Sequence, residues 1–376
     1  MMSSPLDHAP RAASWTSRES ILATIAAFNA FVAIVAVAAF MNSDGTGVSA
    51  SLLRPAPPPL SYHLLYATAL ADAKYIDLTH TISPDMPVWA AFDVSQLRFS
   101  TALAGSDGGM GADFIQKGDP FSYAKQGFTA TQVTLPTDQL GTQLDPPAHW
   151  NEYGATISDL PPTFTLRPLC VIDISGKHAA APGYHAQVED VLAWEAAHGR
   201  VPAGSAVFFR TDYWGDAWPV EPTPLPGVGL AALKFLHEER AILFHGHEPL
   251  DTDTTPTLEG EAWLMHNDYA QAEGVANLHL VPESGCLLSV GFAKIGGGAG
   301  GYARFVAVCP PTAPHGLTVA DAPGAPLPRQ DAPLRRGANG VLAPSPGATP
   351  TVYCAPENPS SLGCPPNGWS EPPATR

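Results

Sequence analysis

The chain has 376 residues, 45% of them hydrophobic, and a formal net charge of −16 at pH 7. That length and apolar content are sufficient for one large domain, or for two ordinary ones, with a substantial buried core. The negative charge argues against nucleic acid or an anionic membrane surface as a partner. The 40 prolines indicate long irregular segments at the chain ends, so we expect an acidic, soluble domain with terminal extensions.

The N-terminal region contains a candidate export segment. Residues 1–20 are predicted to be disordered, and residues 21–41 are almost entirely apolar, with Arg11 and Arg18 before them. Such a run is long enough to span a bilayer. A positive flank before an apolar run is also typical of a secretory signal, and Ala36-Val37-Ala38 offers a small-residue cleavage pattern. We expect a secreted or periplasmic protein, or one anchored in the membrane facing the outside, and the sequence leaves cleavage open.

A Pro-rich linker over residues 42–71 precedes a region in which strand-like and helix-like patterns alternate up to residue 311. Strands are predicted at Lys74–His80, Phe128–Leu135, Leu169–Ile174, Ala206–Arg210, Ala241–His245, Leu287–Gly291 and Tyr302–Cys309. Helices are predicted at Gln187–His198, at Gly229–Glu239 and from near Glu259. This alternation predicts an α/β domain over residues 72–311. The Pro/Ala/Gly-rich tail, residues 312–376, is expected to contain little regular structure.

The five cysteines fall into two groups. Cys354 and Cys364 lie in the polar tail and could form a disulfide in an oxidising compartment. Cys170, Cys286 and Cys309 lie in apolar strands, where a free cysteine behaves as a small hydrophobic residue. We therefore expect these three to be structural rather than nucleophilic.

The segment Gln139–His149 reads Gln-Leu-Gly-Thr-Gln-Leu-Asp-Pro-Pro-Ala-His and directly follows the strand-like run Phe128–Leu135. Its prolines stiffen the backbone and its glycine permits a tight turn. Polar side chains on a rigid loop at a strand end are typical of a reaction site. An ordinary turn would not require Gln139, Gln143 and His149 as well, so we predict that this segment carries the chemistry.

This spacing resembles the signature His-x-Gly-Thr-His-x-Asp-x-Pro-x-His of the metal-dependent cyclase family, which includes bacterial kynurenine formamidases, isatin hydrolases and related lactone hydrolases. The matching residues are Gln139, Gly141, Thr142, Gln143, Asp145, Pro147 and His149. Further similar segments are Ile76–His80, Phe209–Thr211, Leu225–Gly229, His247–Pro249 and Glu273–Leu278. The resemblance implies a cyclase-like swivelling β/β/α fold, as a single catalytic domain with low-complexity termini.

By position, the resemblance implies the metal ligands Gln139, Gln143, Asp145 and Glu273, with His149 as the general acid/base. The family's later histidine ligand, twelve residues before the glutamate, falls on Glu261. Glutamine and carboxylate oxygens suit harder ions than zinc. We therefore expect a divalent cation, with Mn²⁺ favoured over Zn²⁺ and with Mg²⁺ and Ca²⁺ as alternatives.

Two other readings of the metal site stay open. His266 lies seven residues before Glu273 and would share its face if both lay on one continuous helix, which would restore a nitrogen ligand. The metal could also have been lost, which would leave a hydrogen-bonded polar cleft.

Three further residues are predicted to contact the substrate. His245 and His247 would point to one face of a strand and could ligate a metal, but the family match favours His247 as a pocket residue and His245 as a packed one. Trp89 and Tyr213 could shape an aromatic pocket.

The resemblance implies a metal-dependent hydrolase of a cyclic or aromatic amide or lactone, in which His149 exchanges a proton with metal-activated water. The alternatives are a polyketide-type cyclase or dehydratase, and a catalytically degenerate family member that binds small ligands. The implied partners are a small-molecule substrate and further copies of the chain, as a homodimer or homotetramer.

Overall fold

The computed structural model describes residues 61–84, 86, 88, 92, 96–99, 117–123, 128–213, 224–319, 334–336 and 342–344. The apolar run 21–41 lies outside these residues, as do Trp89, Cys354 and Cys364. Among the described residues, no helix has the length and apolar character needed to cross a bilayer.

The secondary structure alternates between short strands and helices. The strands are β1 (Lys74–Asp77), β2 (Gln96–Phe99), β3 (Thr131–Thr134), β4 (Gln143–Asp145), β5 (Leu166–Asp173), β6 (His185–Ala186), β7 (Ala206–Arg210), β8 (Gly227–Val228), β9 (Phe244–His247), β10 (Ala270–Glu273), β11 (Cys286–Phe292), β12 (Gly301–Cys309), β13 (Leu334–Arg336) and β14 (Leu342–Pro344). The α-helices are α1 (Tyr62–Leu65), α2 (Ser175–Ala180), α3 (Val188–His198), α4 (Leu230–Lys234) and α5 (Glu259–His266). One π-helical turn, Tyr66–Leu70, extends α1, and another, Phe235–Glu239, extends α4.

One mixed sheet organises the described domain. Its strand order is β1-β12-β11-β5-β7-β9-β10-β4, and β4 also pairs with β12, which closes the sheet on itself. Strands β5, β7, β9 and β10 are parallel neighbours, whereas the pairs that involve β4, β11 and β12 are antiparallel. This arrangement confirms the predicted α/β class. Three two-stranded pairs, β2–β3, β6–β8 and β13–β14, accompany the main sheet.

The two faces of the sheet have different roles. On β7, Ala206 and Phe208 join the core enclosed by the sheet, whereas Val207 and Phe209 pack with the helical side. Both faces of this strand are therefore buried, as is typical of parallel strands covered by helices. Strands β9, β10 and β4 alternate in the same way, but their second face is polar and forms the site described below.

Most predicted elements are present, and the differences have local causes. Helix α3 begins one residue after the predicted start because Gln187 is its N-cap, with a reciprocal hydrogen bond to Asp190. The strand predicted at Ala241–His245 forms only from Phe244 onward, because Ala241 has a φ of 52° and left-handed backbone cannot continue a strand. The segment predicted as a loop at Gln139–His149 in fact contributes strand β4 to the sheet.

The expectation that Cys286 and Cys309 are free cysteines was wrong, because these two residues form a disulfide. The antiparallel register of β11 and β12 pairs Leu287 with Val308, so the next pair along the ladder is Cys286 and Cys309. Their Cα atoms are 4.2 Å apart, within disulfide reach. Cys170 is buried and free, as predicted.

Candidate active site

Two adjacent strands build the floor of the candidate site. In the antiparallel register of β4 and β10, Gln143 faces Glu273 and Asp145 faces Gln271. Because side chains at i and i+2 share one face of a strand, these four residues form a square in which each amide lies beside a carboxylate. All four are buried. The apolar residues between them, Leu144 and Ala272, point into the core instead.

The amide groups of the floor donate to its carboxylates. Nε2 of Gln143 donates to Glu273 Oε2 at 2.9 Å and to Asp145 Oδ2 at 3.3 Å. Nε2 of Gln271 donates to Glu273 Oε1 at 2.8 Å and to Asp145 Oδ2 at 3.4 Å. Gln271 was not among the predicted residues. Its period-two spacing from Glu273 was the signal that could have identified it.

Three carboxyl groups are crowded together at this floor. Burial raises the pKa of Asp145 to about 6, although the nearby His149 opposes this shift. Burial, and then the charge of Asp145, raise the pKa of Glu261 to about 8, and the same two causes raise the pKa of Glu273 well above its usual value. Burial and the neighbouring Asp253 also raise the pKa of Asp251. The pocket therefore strongly favours either protons or a cation.

His149 lies at the rim of this floor, in a short 3₁₀ turn, Pro147–His149, which follows Pro146. Its side chain is 30% exposed, and its Nε2 is 3.7 Å from Oε1 of Glu261. Nε1 of Trp150 donates to the same Glu261 oxygen at 2.9 Å. Nδ1 of His149 lies 3.2 Å from Nε2 of Gln139. The amide of Gln139 thus lies beside Nδ1 of the imidazole, and the carboxyl group of Glu261 lies on the side of Nε2.

Buried histidines lie behind the carboxylates. His245 and His247 are fully buried with ring centroids 5.5 Å apart, and Nε2 of His247 is 4.0 Å from Glu273 Oε1. Because the Pro249 carbonyl can only accept, Nδ1 of His247 donates to it at 2.9 Å. Burial lowers the pKa of His247 to about 4. This ring is therefore neutral near pH 7 and does not offset the charge of Glu273.

The residues present fit an oxygen-preferring cation. Oε1 of Gln143 and Oδ1 of Asp145 are buried acceptors without a hydrogen-bond partner in the described structure, and such orphaned oxygens are costly unless something binds them. Among the described residues, no group of three or more His, Cys, Asp or Glu side chains is arranged to hold a metal ion. The donor chemistry therefore fits such a cation, but Asp145, Glu261 and Glu273 would have to move from their present positions to bind it together with an amide oxygen.

The remaining predicted residues are distributed as follows. Glu261, on α5, reaches the site, whereas His266 ends the same helix with an exposed side chain and Glu273 lies on a strand. The alternative in which His266 and Glu273 share one continuous helix is therefore wrong. Tyr213 packs edge to face against His178, with ring centroids 5.6 Å apart.

The comparisons with known proteins point to one family. Residues 76–254 match a family model described as a putative cyclase, a range that includes Gln139–His149 but not Glu261 or Glu273. The isatin hydrolase of Roseibium aggregatum is 29% identical over an alignment of 192 residues that covers 45% of this chain and 71% of that protein.

Solved structures give the same result for the fold. Isatin hydrolase A from Ralstonia solanacearum is 25% identical, with a TM-score of 0.54 over 68% of this chain and 100% of that one. Isatin hydrolase A from Labrenzia aggregata, solved with benzyl benzoate bound, shares the fold with a TM-score of 0.55 at 24% identity, over 66% of this chain and 98% of that one.

Proposed function

We propose that the chain, which matches the model of a putative cyclase over residues 76–254, is a metal-dependent hydrolase that opens a cyclic amide or a related lactone. The observation that carries the proposal is the position of His149 beside a buried floor of carboxylate and amide oxygens. The name of the R. aggregatum relative, an isatin hydrolase, supports a lactam fused to an aromatic ring as the first substrate to test.

We propose that Gln143, Asp145, Glu261 and Glu273 would hold the cation, and that Mn²⁺ is preferred to Zn²⁺. The reason is the donor set, since the two motif positions occupied by histidine in the family are glutamines here and oxygen ligands favour harder ions. When bound, a divalent cation polarises the substrate carbonyl and lowers the pKa of a water molecule.

His149 is the proposed general acid/base. In hydrolysis, the water oxygen bonds to the carbonyl carbon, the ring C–N or C–O bond breaks, and one water proton reaches the leaving nitrogen or oxygen. A half-exposed imidazole at the rim of the floor can exchange that proton. Trp150 holds Glu261 beside the imidazole through its 2.9 Å hydrogen bond, which keeps this carboxyl group within reach of the reacting atoms.

Turnover by the full chain tests the proposal. Protein purified without chelator would be loaded with Mn²⁺ and offered an aromatic lactam, an aromatic lactone and an N-formyl aromatic amide, with ring opening followed by absorbance and chromatography. We expect hydrolysis of at least one cyclic substrate, lost on chelation and lost in the Asp145→Asn variant. A protein that binds the cation but hydrolyses none of the three would refute the proposed activity. Stoichiometric zinc in the purified protein would refute the preference for Mn²⁺.

One observation favours a second candidate, a ligand-binding protein without turnover. The amides of Gln143 and Gln271 already donate to both carboxylates of the floor, so the cleft can be held together without a cation. In that case an aromatic lactam would bind with the same affinity in chelator and in Mn²⁺, and it would be recovered unchanged.

A further inference from the structure

The side-chain amide of Gln139 has its orientation fixed by the backbone. One end of the amide lies 3.0 Å from the carbonyl oxygen of Ala299. A carbonyl oxygen only accepts hydrogen bonds, so the atom that faces it is the nitrogen Nε2. Oε1 of Gln139 then accepts from Nε2 of Gln143 at 2.5 Å, which is consistent with the same orientation.

The Ala299 carbonyl is itself held firmly. Oδ2 of Asp138 accepts from the backbone N–H groups of Ala299 and Gly300 at 2.8 and 2.9 Å. A Cβ atom at Gly300 would lie 2.6 Å from Nε2 of Gln139 and 2.6 Å from the carbonyl oxygen of Asp138. The glycine-rich loop between β11 and β12 therefore approaches Gln139 at a distance that only glycine permits.

This orientation determines which nitrogen of His149 carries the proton. The same Gln139 nitrogen lies 3.2 Å from Nδ1 of His149. An amide N–H only donates, so Nδ1 must present its lone pair, and the proton of the neutral ring is then on Nε2. Nε2 points toward Oε1 of Glu261, 3.7 Å away, which is an acceptor and therefore suits an N–H group.

We propose that Gln139 is a positioning residue that holds His149 in the tautomer protonated at Nε2, rather than a ligand of the cation. Both groups of its amide are used, Nε2 by Ala299 and His149, and Oε1 by Gln143. His149 therefore presents a hydrogen-bond donor to the cleft, which selects a ligand with an acceptor oxygen there. In the proposed acid/base role, His149 would therefore accept a proton at Nδ1, which requires Gln139 to move away from that nitrogen, and would donate a proton from Nε2. The consequence for turnover rests on the proposed hydrolase, whereas the tautomer does not.

Nitrogen-15 NMR of histidine-labelled, cation-free full-length protein tests the proposal. The spectrum would be recorded at a pH at which the ring is neutral, and the His149 signals would be assigned by their loss in the His149→Ala variant. We expect Nε2 to carry the proton in the wild type. In Gln139→Glu, whose carboxylate only accepts, the proton should move to Nδ1. In Gln139→Met, which has a similar shape and no hydrogen-bonding group, the two tautomers should mix.

Two outcomes would overturn the proposal: a wild-type ring protonated at Nδ1, or wild-type and Gln139→Glu spectra with the same tautomer. Circular dichroism of each variant identifies any that fails to fold, and Gln139→Met then serves as the second comparison. The measurement uses neither substrate nor cation. If the chain hydrolyses none of the substrates but shows the expected change of tautomer, the proposed function is refuted and this inference stands. If it hydrolyses a substrate but shows no change of tautomer, this inference is refuted and the proposed function stands.

Discussion

The buried carboxyl group of Glu261 should make the cation-free protein less stable as the pH rises. Its pKa is raised from the usual 4.5 to about 8, first by burial and then by the charge of Asp145. A carboxyl group whose pKa is higher in the folded state than in the unfolded state stabilises the fold while it is protonated. This stability is fully present below the pKa of the unfolded state, and it is lost as the pH rises through the pKa of the folded state. The window for Glu261 therefore runs from about pH 4.5 to about pH 8.

The Glu261→Gln variant removes this titration while keeping an oxygen to accept from Trp150, whose Nε1 donates to Oε1 of Glu261 at 2.9 Å. One pKa unit corresponds to about 1.4 kcal/mol. Raising the pH from about 5 to about 9 should thus lower the free energy of unfolding of the wild type by on the order of 4 kcal/mol more than that of the variant. The variant should be more stable than the wild type at the higher pH, and the difference should shrink at the lower one.

Urea denaturation of chelator-treated protein, followed by fluorescence at a series of pH values, measures this difference directly. Glu259→Gln is the matched control, because it removes the same charge from the first turn of the same helix, α5, at an exposed position. Parallel pH profiles for the wild type and Glu261→Gln would refute the reasoning. Added Mn²⁺ should flatten the wild-type profile, because a bound cation favours the ionised carboxylates.

Three further predictions concern the catalytic histidine, the glycine loop and the disulfide. His149→Ala should abolish turnover and retain Mn²⁺ in calorimetry; unchanged turnover would remove this residue from the mechanism. Gly300→Ala should lower turnover and change the NMR signals of the His149 ring, because its Cβ would displace the adjacent amide, whereas Gly296→Ala, with open space around it, should change neither. The Cys286→Ser/Cys309→Ser double variant should lose about 2–4 kcal/mol of stability under oxidising conditions. If its urea midpoint equals that of the oxidised wild type, the disulfide does not stabilise the fold.

Part of the site was predictable because it is local in sequence. The spacing of Gln139–His149 placed Asp145 and His149 together on one short segment, and both lie at the site. The helical period of the segment that became α3 and the continuous apolar run that became β7 are likewise patterns of neighbouring residues.

Other parts depend on register and on sheet closure, which no local pattern records. Gln271 joins the floor only because β10 pairs with β4 in one particular register. A disulfide joins Cys286 and Cys309 because the β11–β12 hairpin sets them opposite each other.

The sequence by itself determined the α/β class, the positions of most strands and helices, and the residue types of the motif. Only the tertiary structure decided what Gln139 does. Its amide contacts Ala299, 160 positions away in the chain, because β4 pairs with β12 and closes the sheet. Side-chain chemistry and periodicity are properties of neighbouring residues, whereas the orientation of an amide depends on which distant backbone carbonyl the fold brings against it.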